Sequence, residues 1–392
     1  SWGQNGNCDI TNFQYLSTFL FGRDANYSFG NNKVSQVTGA YSDILANPDV
    51  TWETSEQLNI GFDARFFGSR LGVNFDWYKK TTKDWLVQAP ILTSYGTNAP
   101  YINGGNVENK GVEIMLSWND HVNDFKYGVR FNLAHNKNKV TKIANTEGFI
   151  HGPTNVLSNN RADMFRAQVG YPIGYFWGYK TAGIVQNQEQ VNSTKVKLEG
   201  AEPGDVIFVD NNDDGSITDE DKTMIGNPNP DVTMGITLDF AYKGFDLSLT
   251  GMSALGHQIA KSYRSFAQNE FENYTTEILG CWDGEGTSNR LPRFSDGAKT
   301  NWTNISDIYI EDADYFRLSN LTIGYDFKQL WKKSPLSQIR LYFTAQNLFT
   351  ITNYSGMDPE VGYGGGTAWG SGIDLGFYPS SRSYLVGVNL KF

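Results

Sequence analysis

Apolar and polar residues alternate along much of the chain for about ten positions at a time, the period of a strand whose two faces meet different surroundings. The plainest case is Val232, Met234, Ile236, Leu238, Phe240 and Tyr242, interleaved with Thr233, Gly235, Thr237, Asp239 and Ala241. The same reading places strands near residues 54–67, 70–84, 106–119, 124–137, 231–242, 245–257, 313–328, 337–350 and 382–392. Four of the joints are tight: Gly68-Ser69, Asp120-His121-Val122-Asn123, Lys243-Gly244, and the stretch around Lys332-Lys333-Ser334-Pro335. The others, at 85–105, 138–230, 258–312 and 351–381, run from about twenty to about ninety residues, far beyond the loops of most compact domains.

Short and long joints alternate without exception. A sandwich has no reason to gather its long loops at one end, whereas an outer-membrane barrel has short periplasmic turns, long external loops and strands of at least ~9–11 residues. The expected fold is therefore all-β, a transmembrane antiparallel β-barrel with long extracellular loops. Its apolar positions would face lipid, while Asn59, Asp63, Arg65, Asn74, Asp76, Arg130, Asn132, Arg340 and Gln346 would line the lumen. In the last strand Tyr384, Val386, Val388, Leu390 and Phe392 point one way, and Ser383, Gly387, Asn389 and Lys391 the other. A chain ending on Phe392 resembles the signal read by the outer-membrane assembly machinery.

With the C-terminus in the periplasm, residues 1–53 read mostly as an extracellular loop and 54–392 as C-terminal barrel strands with their loops. The nine strands so counted are an odd number, whereas bacterial single-chain barrels have even counts. The expectation is that a plug domain and the first barrel strands lie outside this chain. An open edge in hydrocarbon would leave backbone groups unpaired.

Composition sharpens this. Aromatics make up 14% and charged residues only 19%, against roughly 25% charged in an ordinary soluble domain. No stretch approaches the ~20 apolar residues of a membrane-spanning helix, and mean hydropathy is −0.44. Any crossing is by strands, in contact with outer-membrane lipid. The net charge of −10 argues against a nucleic-acid partner, which needs clustered Lys and Arg. Cys8 and Cys281 fit no metal pattern, and their pairing stays open. No nucleophile motif is present, His121, His135, His151 and His257 are scattered, and Glu311, Asp312 and Asp314 read as a solvated rim, so no enzyme activity is expected.

Two features carry candidate chemistry. Asp210-Asn-Asn-Asp-Asp-Gly-Ser-Ile-Thr-Asp-Glu-Asp221, within the 138–230 loop, matches an EF-hand-like calcium loop at its first, third and fifth positions, with Gly215 at the sharp turn. Asp210, Asn212, Asp214, the carbonyl of Ser216 and Asp221 would hold a structural Ca²⁺, Asp221 standing where a longer Glu is usual; the plainer reading is an acidic β-turn. Tyr95, Tyr101, Trp282, Trp302, Tyr354, Tyr363 and Trp369 lie in the expected external loops and could contact substrate or a lid, or simply hold those loops together.

Several segments resemble SusC-like (RagA-like) TonB-dependent outer-membrane transporters. They are Ser1-Trp-Gly-Gln-Asn-Gly-Asn, Asn47-Pro-Asp-Val-Thr-Trp-Glu-Thr-Ser-Glu-Gln, Gly104-Gly-Asn-Val-Glu-Asn-Lys-Gly-Val-Glu, Gly170-Tyr-Pro-Ile-Gly-Tyr-Phe-Trp-Gly-Tyr-Lys, Ile225-Gly-Asn-Pro-Asn-Pro-Asp, Asp314-Tyr-Phe-Arg-Leu-Ser-Asn-Leu-Thr-Ile-Gly-Tyr and Ala345-Gln-Asn-Leu-Phe-Thr, in family order. The resemblance implies a barrel of about 22 strands, of which this chain supplies the C-terminal portion, in the outer membrane of a Gram-negative bacterium. It further implies a plug and remaining strands in the N-terminal part of the same protein. A SusD-like surface lipoprotein would be the lid, the TonB complex the energy source, and oligosaccharides or peptides the cargo. A siderophore or metal-chelate receptor, an outer-membrane hydrolase and a surface adhesin are the rival readings.

Overall fold

The computed structural model describes residues 1–10, 12–22, 26–28, 36–88, 91, 93–152, 163–197, 199–262, 274–294, 299–366 and 369–392. Ten strands form one antiparallel sheet in which each pairs with its neighbours in sequence. They are β1 (Trp2–Asn7), β2 (Glu53–Phe66), β3 (Leu71–Gln88), β4 (Tyr101–Val122), β5 (Phe125–Ile143), β6 (Val232–Tyr242), β7 (Phe245–Leu255), β8 (Tyr315–Asp326), β9 (Gln338–Thr352) and β10 (Ser383–Lys391).

All nine expected strands are present, and the alternation decides their faces. Ile60, Phe62, Val386 and Val388 stay 56–74% exposed on the outer face, as side chains bathed in lipid rather than packed in a core. The inner face carries ion pairs: Arg130 meets Asp239 at 2.9 Å and Arg340 meets Asp246 at 2.5 Å. Tight turns follow local chemistry. Lys243 and Gly244 both adopt positive φ, the two-residue hairpin whose twist suits the flanking strands, and Gly takes the second position without a Cβ penalty. On β8, Phe316 and Leu318 are followed by Leu321 and Ile323, a slip of one residue in the period. The register shifts at this point against both neighbours, with Asn347 of β9 at positive φ, so the apolar side chains keep facing lipid across the slip.

Three expectations are corrected. Residues 1–53 are not only a loop: Trp2–Asn7 is a barrel strand, paired residue by residue with Glu53–Leu58. The count is therefore ten rather than nine, and the odd-number argument loses its premise. Instead, β1 and β10 are the two edges of an open sheet and, among the described residues, do not pair with each other. The turn read at Asp120–Asn123 sits at Asn123-Asp124, because Val122 still pairs with Phe125.

Candidate functional site

The long connections gather at one end of the sheet and build their own cores there. The segments 144–231, 256–314 and 353–382 contribute Met164, Phe165, Phe176, Ile225, Ala260, Ile305 and Ile373 to one buried cluster. A second cluster joins Ile150 and Ala167 of the first connection to Val87, Val107, Val140 and Ile143 of β3, β4 and β5. Strand phase shows which side of the wall this cluster covers. Val107 and Val140 stand opposite each other two residues beyond Asn109 and Asn138, which follow Gly111 and Asn136, on the polar inner face where Tyr78 Oη donates to Asn136. The loops therefore fold inward over the mouth of the barrel.

Charged side chains bind this roof to the wall. Arg317, on the inner face of β8 and 4% exposed, donates to Asp358 at 2.6 Å, to Glu360, and to Thr350 Oγ1 at 3.0 Å. Tyr315 Oη donates to the other oxygen of Glu360 at 2.8 Å. Loss of water around Asp358 opposes its ionisation, but the N–H groups of Ser380 and Glu360 and the Arg317 guanidinium outweigh this and hold its carboxyl below the usual range. Between the first two long connections, Arg293 pairs with Asp205 and Glu202, each at 2.7 Å, and Asn301 completes the cluster. Arg166 lies between the rings of Phe149 and Trp177, 4.3 and 3.8 Å from their centroids, and burial lowers its pKa.

The proposed contact aromatics part company here. Trp302 and Tyr354 are corrections: they are 1% and 5% exposed, Trp302 packed with Cys281, Ile308 and Tyr309, and Tyr354 donating to Asp374 at 2.6 Å. An aromatic ring in a long, self-packed connection is better buried than shown to solvent. Trp282 is half-buried against the cluster of Tyr179, Ile184, Val206 and Phe208 and donates to Gln186. Tyr101 begins β4 and is half-buried, whereas Tyr95 and Tyr363 remain 61% and 40% exposed. Trp369 stands at right angles to Trp85, ring centroids 6.0 Å apart. Phe392 is 98% exposed. Cys8 is a free, exposed thiol, and Cys281 is buried.

In the acidic loop, Asp210, Asn212 and Asp214 turn their side chains back onto its own N–H groups, Asp210 Oδ2 accepting from Gly215 at 2.9 Å and Asp214 Oδ1 from Ser216 at 2.8 Å. Gly215 has φ +86°, as the turn requires. The buried Asp221 accepts from the N–H groups of Asn211 and Thr218 at 2.9 and 2.7 Å, closing the loop as a cap. Removal from water opposes ionisation of Asp221, yet these donors hold its pKa below the usual value. The oxygens are hard donors of the kind Ca²⁺ takes, but among the described residues no three acidic, His or Cys side chains converge as a ready metal centre.

Sequence reading missed Arg317, Asp358, Glu360 and Arg166. Arg317 sits at a lumen phase of its strand, a signal that was legible; its acidic partners lie some forty positions on, a distance no periodicity reports.

Comparison with known proteins agrees with this architecture. A family model described as TonB dependent receptor-like, beta-barrel matches residues 13–348. TonB-dependent receptor P3 of Formosa agariphila is 32% identical over 399 residues, covering 100% of this chain and 39% of that protein. TonB-dependent receptor SusC of Bacteroides thetaiotaomicron is 29% identical over 401 residues, covering 100% and 37%. The chain thus spans about two fifths of the length of these relatives. Among solved structures, that of the RagAB peptide transporter superposes with a TM-score of 0.77 at 23% identity, over 100% of this chain and 40% of the other, a likeness of fold.

Proposed function

Because this chain belongs to the TonB-dependent receptor-like β-barrel family, and so forms part of an outer-membrane barrel, we propose that it is the wall and roof of an energised importer of oligosaccharides or peptides. The observation that carries the reading is the pairing of a polar, ion-paired lumen with loops that fold inward and are bolted to the wall by buried charge. A passive pore gains little from such a roof, whereas a transporter that selects and retains cargo needs structured loops above a rigid scaffold. A plug and the remaining strands, in the N-terminal part of the same protein, would close the sheet and meet the inner-face residues. A SusD-like lipoprotein would cover the roof, and the TonB complex would supply energy through the plug.

The reaction is transport rather than bond cleavage. Ca²⁺ in the 210–221 loop would be structural, shortening the freedom of a long connection; extracellular calcium at ~10⁻³ M fills even weak sites of this kind. To test the function, cells lacking the protein are grown on single glycan and peptide sources, and the tagged full protein is purified for partners. Loss of growth on one oligomer class together with recovery of a surface lipoprotein is the expected result. Unchanged growth on every source, with no partner recovered, would favour an adhesin.

A further inference from the structure

On the small sheet that the first long connection lays over the mouth, we propose a binding site for an acidic oligosaccharide, in which Arg166 takes the carboxylate of a uronic acid unit. The inference rests on the importer reading above and names the cargo class that this mouth selects.

Four short strands make that sheet: Phe149–His151, Phe165–Gln168, Tyr175–Gly178 and Thr223–Gly226, paired antiparallel in that order. Alternation gives it two unlike faces. On one, Ile150, Phe165, Ala167 and Phe176 are at most 4% exposed, and Ile150 and Ala167 share a cluster with Val107 and Val140 of the lumen wall. The other face therefore looks away from that wall, toward the opening. It carries Phe149, His151, Arg166, Gln168 and Trp177, with Tyr175 buried beneath them. Rings, cationic groups and an amide stand there in place of the aliphatic side chains of the hidden face.

Arg166 is the group that calls for a ligand. The rings of Phe149 and Trp177 hold its guanidinium by cation–π contact, which uses none of its N–H donors. Nε is buried with no hydrogen-bond partner, and the nearest carboxylate among the described residues, Asp163, stands 3.9 Å from it and is engaged by His151 Nδ1 at 2.7 Å. A guanidinium stripped of water in this way gains from an acceptor, and its side chain keeps 14% exposure, through which an incoming carboxylate can reach two N–H groups at once. Beside it, Gln168 accepts from Tyr175 Oη at 2.6 Å, so its amide oxygen is taken and its NH2 is left to donate. Phe149 and Trp177 are half-buried, and their free ring surface suits the apolar face of a pyranose. An extended peptide is read by main-chain hydrogen bonds along a strand edge. Here the receptive surface is the side-chain face of a sheet, which matches a ring bearing hydroxyls and a carboxylate. A net charge of −10 gives an anion no general attraction, so selection falls to this fixed cation.

Binding to the full transporter is measured by calorimetry for short oligogalacturonates, oligoglucuronates and oligomannuronates, each beside its carboxyl-reduced counterpart, and for oligoglutamate. One acidic sugar series should bind the wild type roughly tenfold or more tightly than its reduced form, the scale of one charged hydrogen-bonded pair. Arg166→Gln should erase that difference, the loss falling on the acidic form, with heat-resistant migration confirming assembly. The wild-type comparison decides the matter even if the variant does not assemble. Equal binding of acidic and reduced forms, or a difference that survives in Arg166→Gln, would overturn the site. Binding of oligoglutamate in place of every oligouronate would overturn the sugar and make a peptide carboxylate the ligand. If the growth screen finds a cargo and no oligouronate binds, the site alone falls; if the screen finds no cargo of either class, the importer reading falls and the site with it.

Discussion

Arg317 concentrates much of what holds the roof in place. It is nearly inaccessible to water, and replacing it with Met leaves Asp358 and Glu360 facing each other without a cation, a loss of about 3–5 kcal/mol for a buried pair broken on one side. Limited proteolysis of Arg317→Met should cut within residues 353–382 while the strands stay protected; a cleavage pattern identical to wild type would contradict the role given to the clamp. The same group predicts an acid response. The folded-state pKa of Asp358 lies below that of an unfolded Asp, so its contribution is complete above about pH 4 and is lost as pH falls through the folded value. Protease sensitivity of this connection should therefore rise below about pH 4, and earlier than that of the strands. For the acidic loop, Asp210→Ala together with Asp214→Ala should expose residues 186–230 to protease with barrel assembly unchanged, and added Ca²⁺ should protect the wild type only. Equal protection of both proteins, or of neither, would leave the segment a turn. At this scale the sequence was a partial guide. It marked Trp302 and Tyr354 as aromatic but not as buried, since residue type in a connection says nothing about which neighbours close over it.

The strands were legible because lipid on one side and water on the other impose a strict period of two. Their limits were less so. β3, β4 and β5 run past the expected ends to Gln88, Tyr101 and Ile143, where loop packing and not bilayer thickness sets the boundary. β1 was missed because Gly-Gln-Asn-Gly-Asn after Trp2 has no alternation to read; pairing with Glu53–Leu58 makes it a strand. The period also yields a direct test of facing. Ile236→Lys puts a charge on the lipid side of β6 and should cost ~2–4 kcal/mol, whereas Thr237→Lys turns it into the lumen and should be tolerated. Folded yield in outer membranes measures both, and equal yields would mean the faces are misassigned.

As a whole molecule, the chain is an open sheet with a closed roof. Its edges β1 and β10 need partners in hydrocarbon, and its relatives are more than twice its length. The order of nine of the ten strands, most of the turns and the position of the long connections could be read beforehand. The inward fold of the roof could not, because contacts such as Trp369 with Trp85 join residues almost three hundred positions apart. Import through this barrel is proposed to be driven by the inner-membrane gradient. The most direct measurement is accumulation of a labelled oligomer, chosen from the growth screen, by cells with and without the full protein, before and after the inner-membrane proton gradient is collapsed. Accumulation should require both protein and gradient. Accumulation unaffected by loss of the gradient, or equal in the two strains, would contradict it.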